Sequence, residues 1–367
     1  MICIITCGHS PDDERIFGRE IKSLLSAGHQ ITYFTRWEDT CYLSEENLFH
    51  KNYSEKNLSI RDFIKKVIKN FKVIKPTIVH IHEFELLPLA KKAKKMFDSK
   101  IIYDVHEANI ELWDTFSSKP IVLKQIINQS LNRYEKGFLK YVDLVFTTAP
   151  LLVERYFERN VKSEFLPNYP IAFPRRSKKS NIPTIIYHGQ ISIERGLEDL
   201  IKALPHVIKL NIPFQVKIYG TERVGGTINK LRELIHKLKL NSTIEINDHI
   251  SHIEMLKELS KAQIVVIPFR NYPMFQIATP VKLFEAMWAK CAIIASDLQA
   301  LRTVDEQFIE FFPPGDIEAL SRAIGELLVN NEKRQVMANI GAKLVQKKFN
   351  WHNIEPTLLK AYQDISE

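Results

Sequence analysis

Residues 2–35 read ICIITCGHSPDDERIFGREIKSLLSAGHQITYFT, and this stretch decides the fold class. ICIITC is a short apolar run of strand type, and GHSPDDERIF is a polar loop. GREIKSLLSAG carries apolar residues at helical spacing and closes on Gly28, after which QITYFTR restores strand character. Strand, helix and strand within roughly 35 residues make the βαβ unit of a parallel sheet.

The alternation continues outward. Between Arg61 and Lys75, Phe63, Ile64, Val67, Ile68 and Phe71 fall at helical spacing, with Lys65, Lys66, Lys69 and Lys72 elsewhere. TIVHIH (77–82), KIIYDVH (100–106) and DLVFTTA (143–149) are strands; LLPLAKKAKKMF, a stretch from about Val122 to Lys140, and Leu151 to Arg159 are helices. YPIAFPRRSKKSNIP (169–183) breaks the rhythm with Pro170, Pro174 and Pro183 and four basic residues, and reads as a solvated linker. Beyond it TIIYHG, FQVKIYG, TIEIND, QIVVIPF and CAIIAS are strands, interleaved with helices such as LEDLIKALPHVIKL and VKLFEAMWAK. The fold class expected is α/β: two successive Rossmann-like, doubly wound parallel-sheet domains, 1–168 and 184–346, joined by the linker 169–183. Ligands of such sheets bind at the carboxyl ends of the strands, so the residues just after each strand carry the functional information.

Composition narrows the partners. With 45% hydrophobic and 26% charged residues the chain is an ordinary globular one, with enough apolar material to exclude disorder. No apolar run reaches the roughly 18 residues of a membrane span, and MICIITCGHS reads as a first strand, so no secretory leader is expected. Cys3, Cys7, Cys41 and Cys291 form no CxxC pair, which suits a reducing, cytoplasmic compartment. The net charge of +8 is concentrated at Arg175–Lys179 and Arg61–Lys75 rather than spread over a face, so no nucleic-acid partner is expected.

Four places follow strands. In IATPVKLFEAMWAK, Thr279 reads as an N-cap and Pro280 as the first-turn proline of a helix whose amide-rich tip suits an anion. Lys282 lies in that first turn, where charge bias would place an acid, and Glu285 could accept hydrogen bonds from vicinal hydroxyls. In HGQISIERGLEDL, Gly189 permits close backbone approach, Gln190 offers neutral hydrogen bonds, and Arg195 near the next helix start suits a phosphate. In the first loop Gly8 permits the same approach but no GxGxxG exists, and His9, Asp13 and Arg15 are candidates to bind a hydroxylated acceptor or are solvated loop charges. His106 ends the strand KIIYDVH, where a histidine can donate a hydrogen bond to a substrate hydroxyl or transfer a proton. His80 and His82 share one face of a strand, but no third metal ligand follows on that face, and no metal site is expected. No GxSxG elbow occurs, and Cys291 reads as a buried thiol.

With these residues in hand, the chain resembles the retaining glycosyltransferases of family four, which have the GT-B fold. TPVKLFEAMWAKCAIIASD is similar to that family's P-x-K-x-x-E-x-M segment, and HGQISIERGLEDLIKAL to its donor segment. KPTIVHIHE, YDVHE and LPNYP resemble further family segments, and FNWHNIEPTLLKAYQDI its closing helix. The resemblance implies that residues 347–367 form a helix crossing back to the first domain, that the second domain binds a nucleoside-diphosphate sugar, and that the first holds the acceptor. It implies no permanently bound cofactor and no metal, with a UDP-sugar the first donor to expect. Arg195 and Lys282 would grip the diphosphate, Glu285 the ribose, and His106 the donor sugar. Backbone groups near Gly8, Gly189, Gly220, Ile250, Ile277, Ala278, Thr279 and Pro280 would complete the donor site. Two positions depart from the pattern. Ile277 stands eight positions before Glu285, where the family often has a second glutamate, and Gln190 stands where many members have arginine.

The expected acceptor is carbohydrate, lipid-linked or a small molecule, in polysaccharide, glycolipid or glycoconjugate synthesis. The basic face of Arg61–Lys75 suits an anionic inner-membrane surface as well as it suits an ordinary solvated helix face. A sugar-nucleotide epimerase and a non-catalytic partner subunit are the alternatives.

Overall fold

The computed structural model describes residues 1–39, 41–106, 108–171, 176–304 and 306–367. The chain divides into two compact units, Met1–Asn168 with Trp351–Glu367, and Tyr169–Asn350. The first unit is built on seven strands: β1 (Ile2–Thr6), β2 (Ile31–Thr35), β3 (Leu48–Asn52), β4 (Ile78–Ile81), β5 (Lys100–Val105), β6 (Leu144–Thr147) and β7 (Ser163–Phe165). Their order is β3-β2-β1-β4-β5-β6-β7, and every pair is parallel. The second unit repeats the scheme with β8 (Thr184–His188), β9 (Gln215–Tyr219), β10 (Ile244–Asn247), β11 (Ile264–Ile267), β12 (Ala292–Ser296) and β13 (Ile309–Phe312). Here the order is β10-β9-β8-β11-β12-β13, again all parallel. The order reverses direction between β1 and β4, and between β8 and β11. Those switch points are where doubly wound sheets take ligands.

The central strands β1, β4, β8, β11 and β12 are buried along their whole length, which explains their near-continuous apolar sequences. Three strands had no signal in the sequence reading: β3, β7 and β13. All three are edge strands. LFHKN and SEF bury no residue fully, so the alternation that would mark them is absent.

The helix Ile60–Ile74 buries Phe63, Val67 and Phe71, as its spacing predicts, and Ser59 caps it by accepting from the Asp62 amide. On its outer face Lys65 pairs with Asp62 and Lys66 with Glu55, so part of the basic charge is compensated locally. The helix Trp351–Ser366 belongs to the first unit: the Trp351 indole N–H donates to Ser23 Oγ at 3.0 Å, and Tyr362 Oη lies 2.7 Å from His80 Nδ1.

The solvated-linker expectation is corrected where the residues are described. Lys179 Nζ donates to the carbonyls of Ala262 and of Ala289, the latter at 2.8 Å, and lies 3.7 Å from Cys291 Sγ. Arg176 Nε donates to the Trp288 carbonyl at 2.5 Å. These carbonyls end the helices His252–Lys261 and Val281–Trp288, whose negative dipole ends attract cations. Arg175 lies outside the described residues.

Candidate functional site

In the second unit, the ends of β8 and β9 bring two glycine backbones together. The Gly189 amide donates to the Tyr219 carbonyl at 2.9 Å. A Cβ on Gly220 would collide with the Gly189 carbonyl oxygen. A Cβ on Gly189, whose φ is +112°, would stand 2.7 Å from Lys282 Nζ. Gly220 needs glycine because backbone meets backbone there, and Gly189 because its φ is one that side chains rarely adopt.

Lys282 reaches this spot from the first turn of Val281–Trp288, a helix with no acid in that turn. Its ammonium donates to the His188 carbonyl and lies over the rings of Tyr187 (4.4 Å) and Phe269 (5.3 Å). Burial, and then the charge of Arg195, pull its pKa well below the usual lysine range, against the attraction of Glu285. Arg195 ends the short turn Ile193–Arg195, just before Gly196 opens the helix Leu197–Ile208. Its guanidinium lies over Phe269 at 4.7 Å and Phe275 at 4.8 Å. A cation disfavoured by burial, beside a second cation, is arranged to receive an anion.

Glu285, one turn further on, is buried. His252 Nε2 lies 2.8 Å from its Oε1 and His188 Nε2 3.4 Å from its Oε2. Burial works to raise its pKa, but His252, His188 and Lys282 outweigh that and hold the carboxyl below the usual range. Burial lowers His188 to about 4, so its ring is neutral near pH 7. The link of His252 to Glu285 is the part of this arrangement that the strand ends do not reveal.

One expectation at the helix tip is corrected. The N-cap is Pro280, in extended backbone (ψ 137°), not Thr279. Thr279 instead donates its hydroxyl to the Ala300 carbonyl at 3.0 Å. Ile277 and Ala278 end the preceding short helix Pro273–Ile277, and Ile250 is half-buried in the loop before His252. Gln190 accepts from the Tyr187 hydroxyl through its carbonyl at 2.6 Å, and Arg223 Nη1 approaches its side-chain oxygen at 3.4 Å.

The first unit builds a different kind of centre at its own switch point. The amides of Cys7 and Gly8 both donate to the Glu83 carboxylate at 3.0 Å, so the amide donors of the β1 loop are already committed. Asp13 accepts from the amides of Arg15 and Ile16 at 2.9 Å and lies 3.2 Å from His9 Nδ1. Arg15 is buried, against the surface position an acceptor contact needs. Its guanidinium donates to both oxygens of Asp104 at 2.8–3.0 Å, to the Leu166 carbonyl at 2.9 Å and to Asn168 Oδ1 at 2.7 Å. It lies 3.0 Å from Glu20 as well. Burial opposes the charge of Arg15, but Asp104 and Glu20 more than restore it.

His106 adjoins this ion cluster. Its Nε2 lies 2.7 Å from His82 Nδ1 and 3.4 Å from Asp104, and its ring centre is 4.9 Å from that of His9. The third and fourth groups near His80 and His82 that sequence spacing did not reveal are Glu20 and Asp104, all four with potential ligand atoms within 4.8 Å. Arg15 already supplies both carboxylates with a cation, so this set fits a guanidinium-centred ion cluster better than a metal. Nearby, Gly8, Arg36, Trp37, Glu38 and Tyr53 line a cavity of about 240 Å³ at the ends of β1 and β2, and of these only Gly8 stood out in the sequence.

Residues 170–344 match the family described as glycosyl transferases group 1. The chain is 22% identical to a glycogen synthase of Mycobacterium tuberculosis over 192 residues, which are 52% of this chain and 44% of that enzyme. It is 25% identical to a phosphatidyl-myo-inositol mannosyltransferase of Mycobacterium leprae over 53% of this chain and 48% of that one. The chain thus spans just under half the length of these curated relatives. Among solved structures, the sucrose-phosphate synthase of Thermosynechococcus elongatus superposes with a TM-score of 0.80 at 18% identity, covering 99% of this chain and 98% of that one. HepE of Anabaena, solved with UDP, superposes with a TM-score of 0.74 at 12% identity over 99% of each chain. Residues 170–344, nearly all of the second unit, are a glycosyl transferases group 1 domain, and the chain that carries them has the GT-B fold.

Proposed function

We propose that the chain is a retaining glycosyltransferase that moves a sugar from a nucleoside-diphosphate sugar to a hydroxyl acceptor. The observation that carries this reading is the cluster of Lys282, Arg195 and Gly189 beside the start of Val281–Trp288, with Glu285 one turn away. The bond between the anomeric carbon and the diphosphate oxygen breaks, and the bond to the acceptor oxygen forms on the same face. The acceptor proton passes to the leaving phosphate oxygen, so no dedicated general base is required. Lys282 and Arg195 are in place before the reaction and stabilise the charge as it develops on the diphosphate. They take the part that a divalent cation plays in other diphosphate sites. Glu285 receives ribose hydroxyls, which must share or displace His252. The backbone at Gly189, Gly220, Ile250 and Ile277–Pro280 shapes the rest of the donor site, and His106 donates to a substrate hydroxyl.

A UDP-sugar is the first donor to test. The acceptor is a carbohydrate, a lipid-linked sugar or a small molecule. Docking on an anionic membrane is part of the proposal: Lys69 and Lys72 are exposed on Ile60–Ile74, and Ile121, Val122 and Ile126 are exposed at the start of Ile121–Leu139. No described helix is long and apolar enough to cross a membrane. Thermal stabilisation by UDP-, GDP- and ADP-sugars, followed by transfer or hydrolysis of the stabilising donor, tests the reading. The neutral Gln190 and apolar Ile277 favour one second reading, a non-catalytic partner subunit, and turnover of any donor by the isolated chain removes it.

A further inference from the structure

Glu285 is the carboxylate to which a ribose is assigned above, and a second group already claims it. Among the described residues, His252 is the one side chain that hydrogen-bonds to it, with Nε2 2.8 Å from Oε1. Against burial, His252, His188 and Lys282 keep the carboxyl ionised near pH 7, so it only accepts, and His252 Nε2 carries the hydrogen of this bond. Beside the other oxygen, at 3.4 Å, His188 Nε2 is buried and has no hydrogen-bond partner among the described residues. The two members of the pair differ in freedom. The Glu285 side chain is 9% exposed within Val281–Trp288, and that of His252 is 51% exposed. His252 opens the helix His252–Lys261, whose start is fixed by the capping box of Ser251 and Glu254. Its ring can therefore turn to another rotamer while its backbone stays in place.

We propose that His252 is a latch on Glu285: its ring and the ribose hydroxyls of the nucleotide compete for the same carboxylate, and a proton on the ring favours the latch. Vicinal hydroxyls reach a carboxylate by donating to it, and Oε1 already receives the Nε2–H of His252. A histidine changes charge between pH 5 and 8, and an imidazolium bonds a carboxylate roughly twice as strongly as a neutral ring does. Acidification thus sets the ribose against an ion pair in place of a neutral hydrogen bond. A ring displaced by ribose loses the carboxylate that favours its charged form. Nucleotide binding then expels a proton through His252, and this contribution weakens affinity as pH falls.

The other charged groups around the pair have separate duties. From the end of β8, His188 faces Glu285, and burial lowers it to about 4, so its ring stays neutral where the latch acts. From the same helix as Glu285, Lys282 faces it one turn back, with Arg195 facing Lys282 in turn. Both belong to the diphosphate end of the site. On the His252 helix, the Glu254 carboxylate is turned back to the Ser251 amide at 3.1 Å and the Ser251 hydroxyl at 2.7 Å, where it completes the cap.

That a ribose reaches Glu285 rests on the proposed function. The test is calorimetry of UDP binding to the full chain and to His252→Ala between about pH 8 and about pH 5.5, with GDP or ADP in its place where one binds more tightly. Lys282 and the terminal phosphate of the nucleotide titrate with both proteins, so the quantity compared is the ratio of wild-type to variant Kd at each pH. The variant should bind more tightly at every pH, and the ratio should grow by about tenfold from the alkaline to the acid end. 2′,3′-Dideoxy-UDP lacks the competing hydroxyls and should bind both proteins alike throughout. A ratio for UDP that does not change with pH overturns the latch. So does a His252→Ala chain that binds UDP more weakly than the wild type, or a dideoxy analogue that shows the same acid effect. A chain that binds none of the three nucleotides removes the latch together with the donor site, whereas firm binding with a constant ratio removes the latch alone.

Discussion

Lys282 carries the argument at the scale of single residues. Its ammonium is buried, contacts a carbonyl and two ring faces, and is disfavoured by both burial and Arg195. Such a site gains from an arriving anion what it forgoes without one. If Lys282 and Arg195 stabilise a departing diphosphate, Lys282→Ala and Arg195→Ala should each cost about 2–4 kcal/mol of transition-state stabilisation, roughly thirty- to a thousandfold in kcat/KM. Steady-state kinetics with the stabilising donor would check this, and unchanged turnover in either variant would remove that residue from the mechanism. Arg15 teaches the converse lesson. In the sequence it stands among Asp12, Asp13 and Glu14 as one more loop charge. Its partners Asp104 and Asn168 lie 89 and 153 positions away, so nothing local reveals that it is buried.

Among the elements, the read strands and the unread ones differ in position rather than in kind. Strands buried on both faces announce themselves by apolar runs, and the edge strands β3, β7 and β13 do not. The segment before β8 was legible as a break in periodicity but not as a capping device. Lys179 and Arg176 hold the carbonyl ends of two helices, and only the fold brings those ends to them. Lys179→Ala should therefore destabilise the second unit by about 1–2 kcal/mol. Urea unfolding would show a lowered midpoint with an unchanged slope, and an unchanged midpoint would mean that this half-buried lysine is neutral in its effect. The tip of Val281–Trp288 was legible through Lys282 and Glu285, whereas His252 was not, because its link to Glu285 spans 33 positions.

For the whole molecule, two doubly wound units follow from the alternation of strands and helices, and the return of the last helix to the first unit follows from the family resemblance. Buried histidines in both units give the chain a shared response to acid. His80 falls to about 3 and His188 to about 4 from an ordinary 6.5, both through burial. The unfolded chain then binds more protons than the folded one below about 6.5, so stability should decline as pH falls from there toward about 3. Thermal unfolding followed across that range would check the direction, and a melting temperature that rises on acidification would contradict it.

The central claim concerns the glycine-lined, cation-bearing end of β8, and calorimetry of nucleotide binding tests it most directly. UDP and uridine would be titrated into the wild type and into Lys282→Ala, each in two buffers of different ionisation heat. A diphosphate should offset the burial of Lys282 and draw a proton onto it, so UDP binding should take up protons and weaken as pH rises. Uridine should bind far less tightly and without proton uptake, and Lys282→Ala should lose most of the difference. Equal affinity for UDP and uridine, or UDP binding that neither buffer nor the Lys282 substitution alters, would show that this end of the sheet does not hold a diphosphate.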